Sequence, residues 1–539
     1  MDPLSVFEFI VIGSGPSGVH AAQTLVEAGK SVLMLDAGID NPYKEKLPAG
    51  DFFQIRRSDP EQYRLWLGDK MEGISFDVTR TGSQLTPSKK FTSALVDQLT
   101  PINSTSFFPL ESLARGGLGN AWGLGCYTFS DEELRQCGLP LADMRKAYQV
   151  ISNRIGVSAP SADIEKYMAE GLEGLLPPIQ PDENSKRILL RYQKHKKYFS
   201  TRHFFLGVPS LALLTRDKEG RSATLYDNME FYGDEGNAAW RPHVALEKLK
   251  KERRFRYIDQ LLVTKFTDGA GQVTVEAIHV ADKVVHSFCA PRLIIACNVL
   301  GTARIVLRSF SDYQSHLPLL CNSYSYVPSL QLSRLGKRDE GKRTGTAQLC
   351  LFHDATGDQS DIATASLYSY SSLMMFRIIN EMPLNFKDAR IFLQYLMPAI
   401  TIAGVHMPDA ASPQKWVGLQ KTNGNLTGDI LSADFSFSPD ELASFSKREK
   451  LFNRALRRLG CIPLRHMHNP PGASIHYAGT LPFSNEDAML RLTAEGRLGG
   501  TRNIFIADGS GFRYLPAKGI SLSLMANAHR TALNALKNE

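Results

Sequence analysis

The chain has no C-x-x-C pair, no cysteines at metal-ligand spacing, and no internal repeat or low-complexity tract. Its cysteines, Cys126, Cys137, Cys289, Cys297, Cys321, Cys350 and Cys461, are odd in number and scattered. That pattern excludes a disulfide scaffold or a zinc module and suits free thiols in a reducing compartment. A long apolar run is missing too. The apolar, uncharged stretch 391–407 is shorter than the ~20 residues of a membrane span and is broken by Pro398, so it reads as buried core. The first residues carry Asp2 and Glu8 but no basic cluster, and their apolar run reads as a strand. No secretory leader is therefore expected, and the expected location is cytoplasmic. Nucleic-acid motifs are also absent. The one concentration of basic residues, 186–202, reads as a solvated helix face, and a net charge of +7 is mild for 539 residues.

What is present is the composition of a soluble globular protein, 43% hydrophobic and 22% charged. The length asks for two large, intertwined domains. The organising stretch is 9–38, FIVIGSGPSGVHAAQTLVEAGKSVLMLDAG. An apolar run enters a glycine-rich turn, a helical segment follows, and a second apolar run ends on Asp36. This is a βαβ unit with a dinucleotide fingerprint. Gly13 permits the tight turn, Gly15 lets backbone approach a pyrophosphate, and Gly18 lets the helix pack against the strand. Asp36 stands where a carboxylate accepts from ribose hydroxyls, which argues against a 2′-phosphate.

Residues 113–126, LARGGLGNAWGLGC, place five glycines around Trp122, so that backbone can lie against a flat ligand. Residues 138–157 form an amphipathic helix that starts near Leu141 or Asp143 and ends at Gly156. From 242 to 310 the pattern changes to alternating strands with a turn at Asp268-Gly269-Ala270-Gly271. A buried strand then runs into the turn and helix of 298–310, returning the chain to a parallel sheet. Val263 lies on a strand beside that return, where its backbone can meet an adenine. Residues 319–465 carry no motif. Their alternating stretches, 344–352 and 361–370, predict an antiparallel sheet covered by apolar helices near Met374 and Phe392. Met374, Phe376, Phe392 and Tyr395 are read as ordinary core, with a cavity lining as the alternative. Near the end stand His476 in SIHYAGTLPF and a strand followed by Asp508 ahead of a long helix.

Five features in this order resemble the glucose-methanol-choline family of flavin oxidoreductases: GSGPSG with Asp36, GGLGNAWG, CNVLGTARIVL, the H-x-x-G-T at His476, and the terminal IFIADGS before a helix. The 117–122 loop and the 140–157 helix are most similar to the branch containing pyranose oxidases and glucoside dehydrogenases. The resemblance implies an α/β fold, a Rossmann-like FAD-binding domain (1–158, 238–318 and 466–539) intertwined with an α+β substrate domain on an antiparallel sheet (159–237 and 319–465). It puts the pyrophosphate of FAD at Gly13, Gly15 and Gly18, its ribose on Asp36, and its flavin along Gly117, Asn120 and Ala121. Asp508 and Gly509 would lie near the ribityl chain or pyrophosphate, and a helix beginning near Gly519 would point at the flavin pyrimidine. The implied reaction is oxidation of an alcohol of a sugar, glycoside or polyol by hydride transfer to flavin N5, with His476 as base.

Three departures stand out. Where the family usually has a second His or Asn, this chain reads Lys518-Gly519-Ile520-Ser521, so Lys518 or Ser521 is the candidate replacement. That gap leaves a redox-neutral lyase or isomerase-like reaction, or a non-catalytic flavoprotein, as the alternative. The loop that carries an attachment histidine in pyranose oxidases reads Asn120-Ala121-Trp122 here, so FAD is expected to be non-covalent. Asn298 stands where a glycine is common.

Overall fold

The computed structural model describes residues 7–41, 87–227, 236–337, 344–369 and 383–537, with Ile55, 58–64, Asp69 and Asp234 besides. Two sheets organise it. The first is a five-stranded parallel sheet in the spatial order Ile504–Ile506, Arg292–Ile295, Phe9–Ile12, Val32–Leu35, Phe255–Ile258. The strands FIVI and VLML are buried at every position, as strands covered by structure on both faces must be. The helix Pro16–Glu27 begins with proline at its first position, where a missing N–H costs nothing. It packs on the C-terminal helix Ser521–Lys537, which in turn packs on the helix Leu141–Ile155. The last of these ends at Gly156, whose positive φ of 77° glycine adopts freely.

The strands expected between 242 and 310 are Leu261–Asp268, Val273–His279 and Val285–Ala290, an antiparallel meander. The return to the parallel sheet is Arg292–Ile295 followed by the helix Asn298–Ser309. Asn298 explains its own oddity: its φ is 62°, where glycine is favoured and asparagine is the best-tolerated substitute.

The second sheet is antiparallel and seven-stranded, built on Ser323–Leu330, Ile400–Met407, Ile362–Ser369, Leu349–Asp354 and Phe204–Gly207, with Ile462–Pro463 and Met467–His468 on its outer edge. The alternation at 344–352 and 361–370 thus becomes a paired ladder, from Leu349↔Leu367 to Asp354↔Ile362. The basic run 186–202 lies in the helices Glu183–Lys194 and Lys196–Ser200, with most of its lysines and arginines exposed.

Two sequence expectations need correction. Met374 and Phe376 lie outside the described residues. Phe392 and Tyr395, on the helix Phe386–Leu396, are neither core nor cavity lining. They are 51% and 62% exposed, while Ala389 and Leu393 form that helix's buried stripe. The stretch 391–407 is core only in part, its strand Ile400–Met407 being mostly buried and Ile391 exposed. No helix among the described residues is long and apolar enough to cross a membrane.

Candidate active site

One cavity of about 410 Å³ runs from the first βαβ crevice to the antiparallel sheet, within the ~300–1,000 Å³ typical of small-molecule sites. At its nucleotide end the turn 13–17 and Asp36 form the wall. A Cβ on Gly13 would stand 2.7 Å from the Ala296 carbonyl oxygen, and one on Gly18 would run into the Gly13 carbonyl. Gly15 has no heavy atom within 4 Å of where its Cβ would be, so that side of the turn is open to a ligand. Gly15 is also the N-cap of Pro16–Glu27 and has no side chain to cap it, which leaves first-turn N–H groups for an anion. Asp36 is buried, and its Oδ2 accepts from the hydroxyls of Ser14 and, at 3.0 Å, Tyr257. Burial pushes its carboxyl up to about 6 against those hydrogen bonds. Ser14 Oγ also accepts the Gly116 N–H at 2.9 Å, joining the turn to the glycine-rich loop. Val263 lines the same end with Leu261 and Leu262.

In the middle of the cavity stand Gly117, Gly119, Ala121 and Trp122, and opposite them Asp508, Gly509 and 519–521. A Cβ on Gly119 would lie 2.5 Å from Pro242, so close packing fixes that glycine. Asn120 does not line the cavity. Its Nδ2 donates to the carbonyls of Arg115 at 2.7 Å and Gly117 at 3.0 Å, bracing the loop from behind. Gly18 is also absent from the lining and serves helix packing. Asp508 accepts from Thr302 Oγ1 at 2.6 Å and from the Ser510 N–H at 2.9 Å, which ties the return helix to the last strand. The terminal helix begins at Ser521, with Gly519 and Ile520 leading into it along the cavity wall.

The far end is built by strand register. Leu320 and Cys321 pair with Ala478 and Tyr477, so the next positions, Asn322 and His476, face each other. Asn322 Nδ2 lies 2.8 Å from the Met407 carbonyl and 3.2 Å from that of Pro516, and Oδ1 lies 3.1 Å from His476 Nδ1. Carbonyls only accept, so the amide nitrogen faces them and its oxygen faces the imidazole. Nδ1 of His476 therefore carries hydrogen, and Nε2 keeps its lone pair. Burial lowers the His476 pKa to about 4. Ile475, just before it, has φ of 61°, an outlier for a β-branched residue and a point of backbone strain beside the site. Gly479 of the H-x-x-G-T sequence has φ of 89°, and a Cβ there would meet Leu320 at 2.8 Å.

The sheet supplies the floor. Tyr324, His406 and Thr364 lie side by side on three strands, with Tyr326, Gly404 and Ser366 in the next row on the same face. Tyr324 stacks on His406 with ring centres 4.2 Å apart, and His406 stacks on His476 at 5.3 Å. Gly404 makes room, since a Cβ there would lie 2.9 Å from the Tyr324 hydroxyl. Burial, then the neighbouring His476, holds the His406 pKa well below its ordinary value.

Of the residues read from sequence as catalytic, His476 and Ser521 reach the cavity. Lys518 does not line it. Its Nζ is fully buried, 2.7 Å from Glu133 Oε2 and 3.1 Å from the Thr128 carbonyl. Sequence reasoning missed Asn322, His406 and the tyrosines of the floor. A histidine inside the otherwise apolar run of Ile400–Met407 was the available signal.

No protein-family model matches the chain. Paromamine 6'-oxidase of Streptomyces fradiae is 22% identical over 548 residues, covering 98% of this chain and 91% of the relative. The crystal structure of pyridoxine 4-oxidase from Mesorbium loti shares the fold, with a TM-score of 0.57 at 12% identity over 98% of each chain. The five motifs, the two-sheet fold and a likeness that runs the length of the chain agree, and together they support the resemblance to the glucose-methanol-choline family of oxidoreductases.

Proposed function

We propose that the chain is an FAD-dependent oxidoreductase that oxidises an alcohol carbon of a small neutral substrate, a sugar, glycoside or similar polyol, with His476 as the base. The observation that carries this reading is the Asn322 contact at 3.1 Å, because it leaves Nε2 of His476 as the proton acceptor at the end of a cavity that begins in a dinucleotide crevice. Two relatives named as oxidases of single positions on small molecules support the reaction class.

The residues fit FAD. The open side of Gly15, the uncapped helix start and Asp36 suit a pyrophosphate and a ribose, and the bare backbone of Gly117 and Ala121 suits a flat ring. Residues 117–122 contain no group that could form a covalent link, so the cofactor is held without one. Bound there, FAD supplies the hydride acceptor. The chain's own residues do the rest. His476, uncharged at neutral pH, takes the hydroxyl proton on Nε2 while Asn322 steadies the resulting cation through Nδ1–H. His406 offers a ring nitrogen to the substrate oxygen and so fills the role that Lys518 was expected to have; Ser521 heads its helix at the same wall. Tyr324, Tyr326, Tyr368, Thr364 and Ser366 present rings and hydroxyls, and none of them carries charge at neutral pH, which suits a neutral polyol. Free thiols at all seven cysteines support a reducing, cytoplasmic setting.

The test is direct. The purified protein should be yellow, release FAD into solution on heat or acid denaturation, and lose its flavin colour when mixed anaerobically with its sugar or glycoside substrate. Flavin that stays with the precipitate contradicts non-covalent binding. A full panel of sugars, glycosides and polyols that leaves the flavin oxidised contradicts the reaction.

A further inference from the structure

On the face of the seven-stranded sheet away from the cavity, three elements converge. Ser325 lies between Tyr324 and Tyr326 in its strand, so its side chain points the other way, towards the helix Pro439–Arg458. From that helix Glu449 and, one turn on, Asn453 face the extended stretch 466–468. His466 and His468, two residues apart there, put their rings on one side with centres 5.9 Å apart. Nε2 of His468 is 3.0 Å from Glu449 Oε1, and Nδ1 of His466 is 3.6 Å from the same oxygen.

We propose that Glu449, His466 and His468 bind one divalent transition-metal ion of the zinc class. Two imidazoles and a carboxylate are the nitrogen and oxygen donors such ions take, with a fourth position left to water. Ligand bonds of ~2.0–2.2 Å in a tetrahedral site separate the donor atoms by about 3.3–3.6 Å. The separations of 3.0 and 3.6 Å are close to that range, and all three donor atoms lie within 4.8 Å of one another.

The orientation of His466 is the stronger argument. Its Nε2 lies 2.9 Å from Asn453 Oδ1, an acceptor, so Nε2 carries the hydrogen and the Nδ1 lone pair faces the Glu449 carboxylate. Fixing the far nitrogen with a hydrogen bond is how metal-binding imidazoles are held. A lone pair and a carboxylate oxygen facing each other repel unless a cation or a proton lies between them. Ser325 Oγ is 3.3 Å from Glu449 Oε1 and 3.4 Å from His466 Nδ1, but its single hydrogen serves only one of them. A bound ion would fasten the helix Pro439–Arg458 to the strand stretch beneath Tyr324 and Tyr326.

Holoenzyme stripped with a chelator and titrated with zinc chloride in a calorimeter should take up one ion per chain, and its Tm should rise. His468 is 64% exposed, so its removal leaves the fold intact. His468→Ala should weaken zinc binding at least tenfold and abolish the Tm rise, with flavin content and turnover unchanged. Asn453→Ala should weaken zinc binding by ~10–100-fold, the usual effect of losing a group that orients a ligand. A chain that takes up no zinc, or zinc uptake that is the same in His468→Ala, overturns the proposal.

Discussion

Oδ1 of Asn322 stands 3.1 Å from Nδ1 of His476, and the nitrogen of the same amide stands 2.8 Å from the Met407 carbonyl oxygen. One side chain therefore sets both the tautomer and the direction of the imidazole that faces the cavity. Strand register puts the two residues together, since Cys321 pairs with Tyr477 immediately beside them.

Removing that amide tests its role. Asn322→Ala should keep FAD but slow anaerobic flavin reduction by roughly 10–100-fold, the equivalent of a lost hydrogen bond of ~1–3 kcal/mol to a group that becomes charged. Stopped-flow reduction by the substrate reads this. An unchanged rate would mean that the imidazole finds its tautomer without help.

The His406 ring stacks between Tyr324 and His476 on the cavity floor. His406→Ala should lower the reduction rate by roughly 10–100-fold, and His406→Gln should recover part of it because an amide keeps a hydrogen-bonding group beside the substrate oxygen. Flavin occupancy, measured from absorbance, should match the parent in both. Parental reduction rates in His406→Ala would remove it from the site.

Lys518 predicts the opposite behaviour. Its Nζ and the Glu133 carboxylate are 2.7 Å apart and almost wholly buried, and the same Oε2 accepts the Ser130 N–H at 2.8 Å in a helix capping box. Lys518→Ala leaves that carboxylate buried without its cation and should cost ~3–5 kcal/mol in denaturant unfolding. The folded fraction should reduce its flavin at the parental rate. A variant of parental stability with slowed reduction would return Lys518 to the chemistry.

The nucleotide half was legible in the sequence because its constraints are local. A tight turn, a close helix and a terminal carboxylate each demand a residue type at a fixed spacing, and 9–38 meets all three. His476 was legible through Gly479, whose φ of 89° only glycine adopts easily. Asn298 was visible only as an anomaly until its φ of 62° explained it. Asn322 and His406 were hidden because their meaning lies in pairing between distant strands, and no spacing within 319–465 reveals that His406 lies opposite Tyr324. Lys518 misled for the same reason: its sequence position is next to the site, but its side chain turns to Glu133, a partner 385 residues away. Phe392 and Tyr395 misled because an apolar composition does not say which side of a helix is covered.

The central claim is that His476 takes the substrate proton, and its rate of anaerobic flavin reduction by the true substrate tests it most directly. His476→Ala should fold and retain FAD yet reduce its flavin ~10²–10⁴-fold more slowly. In the parent, burial lowers the imidazole pKa to about 4. The neutral, proton-accepting form therefore prevails at neutral pH, and the reduction rate should stay level as pH falls until it drops along a limb near that value. The variant should lack this limb. A His476→Ala protein that reduces its flavin at the parental rate would contradict the account.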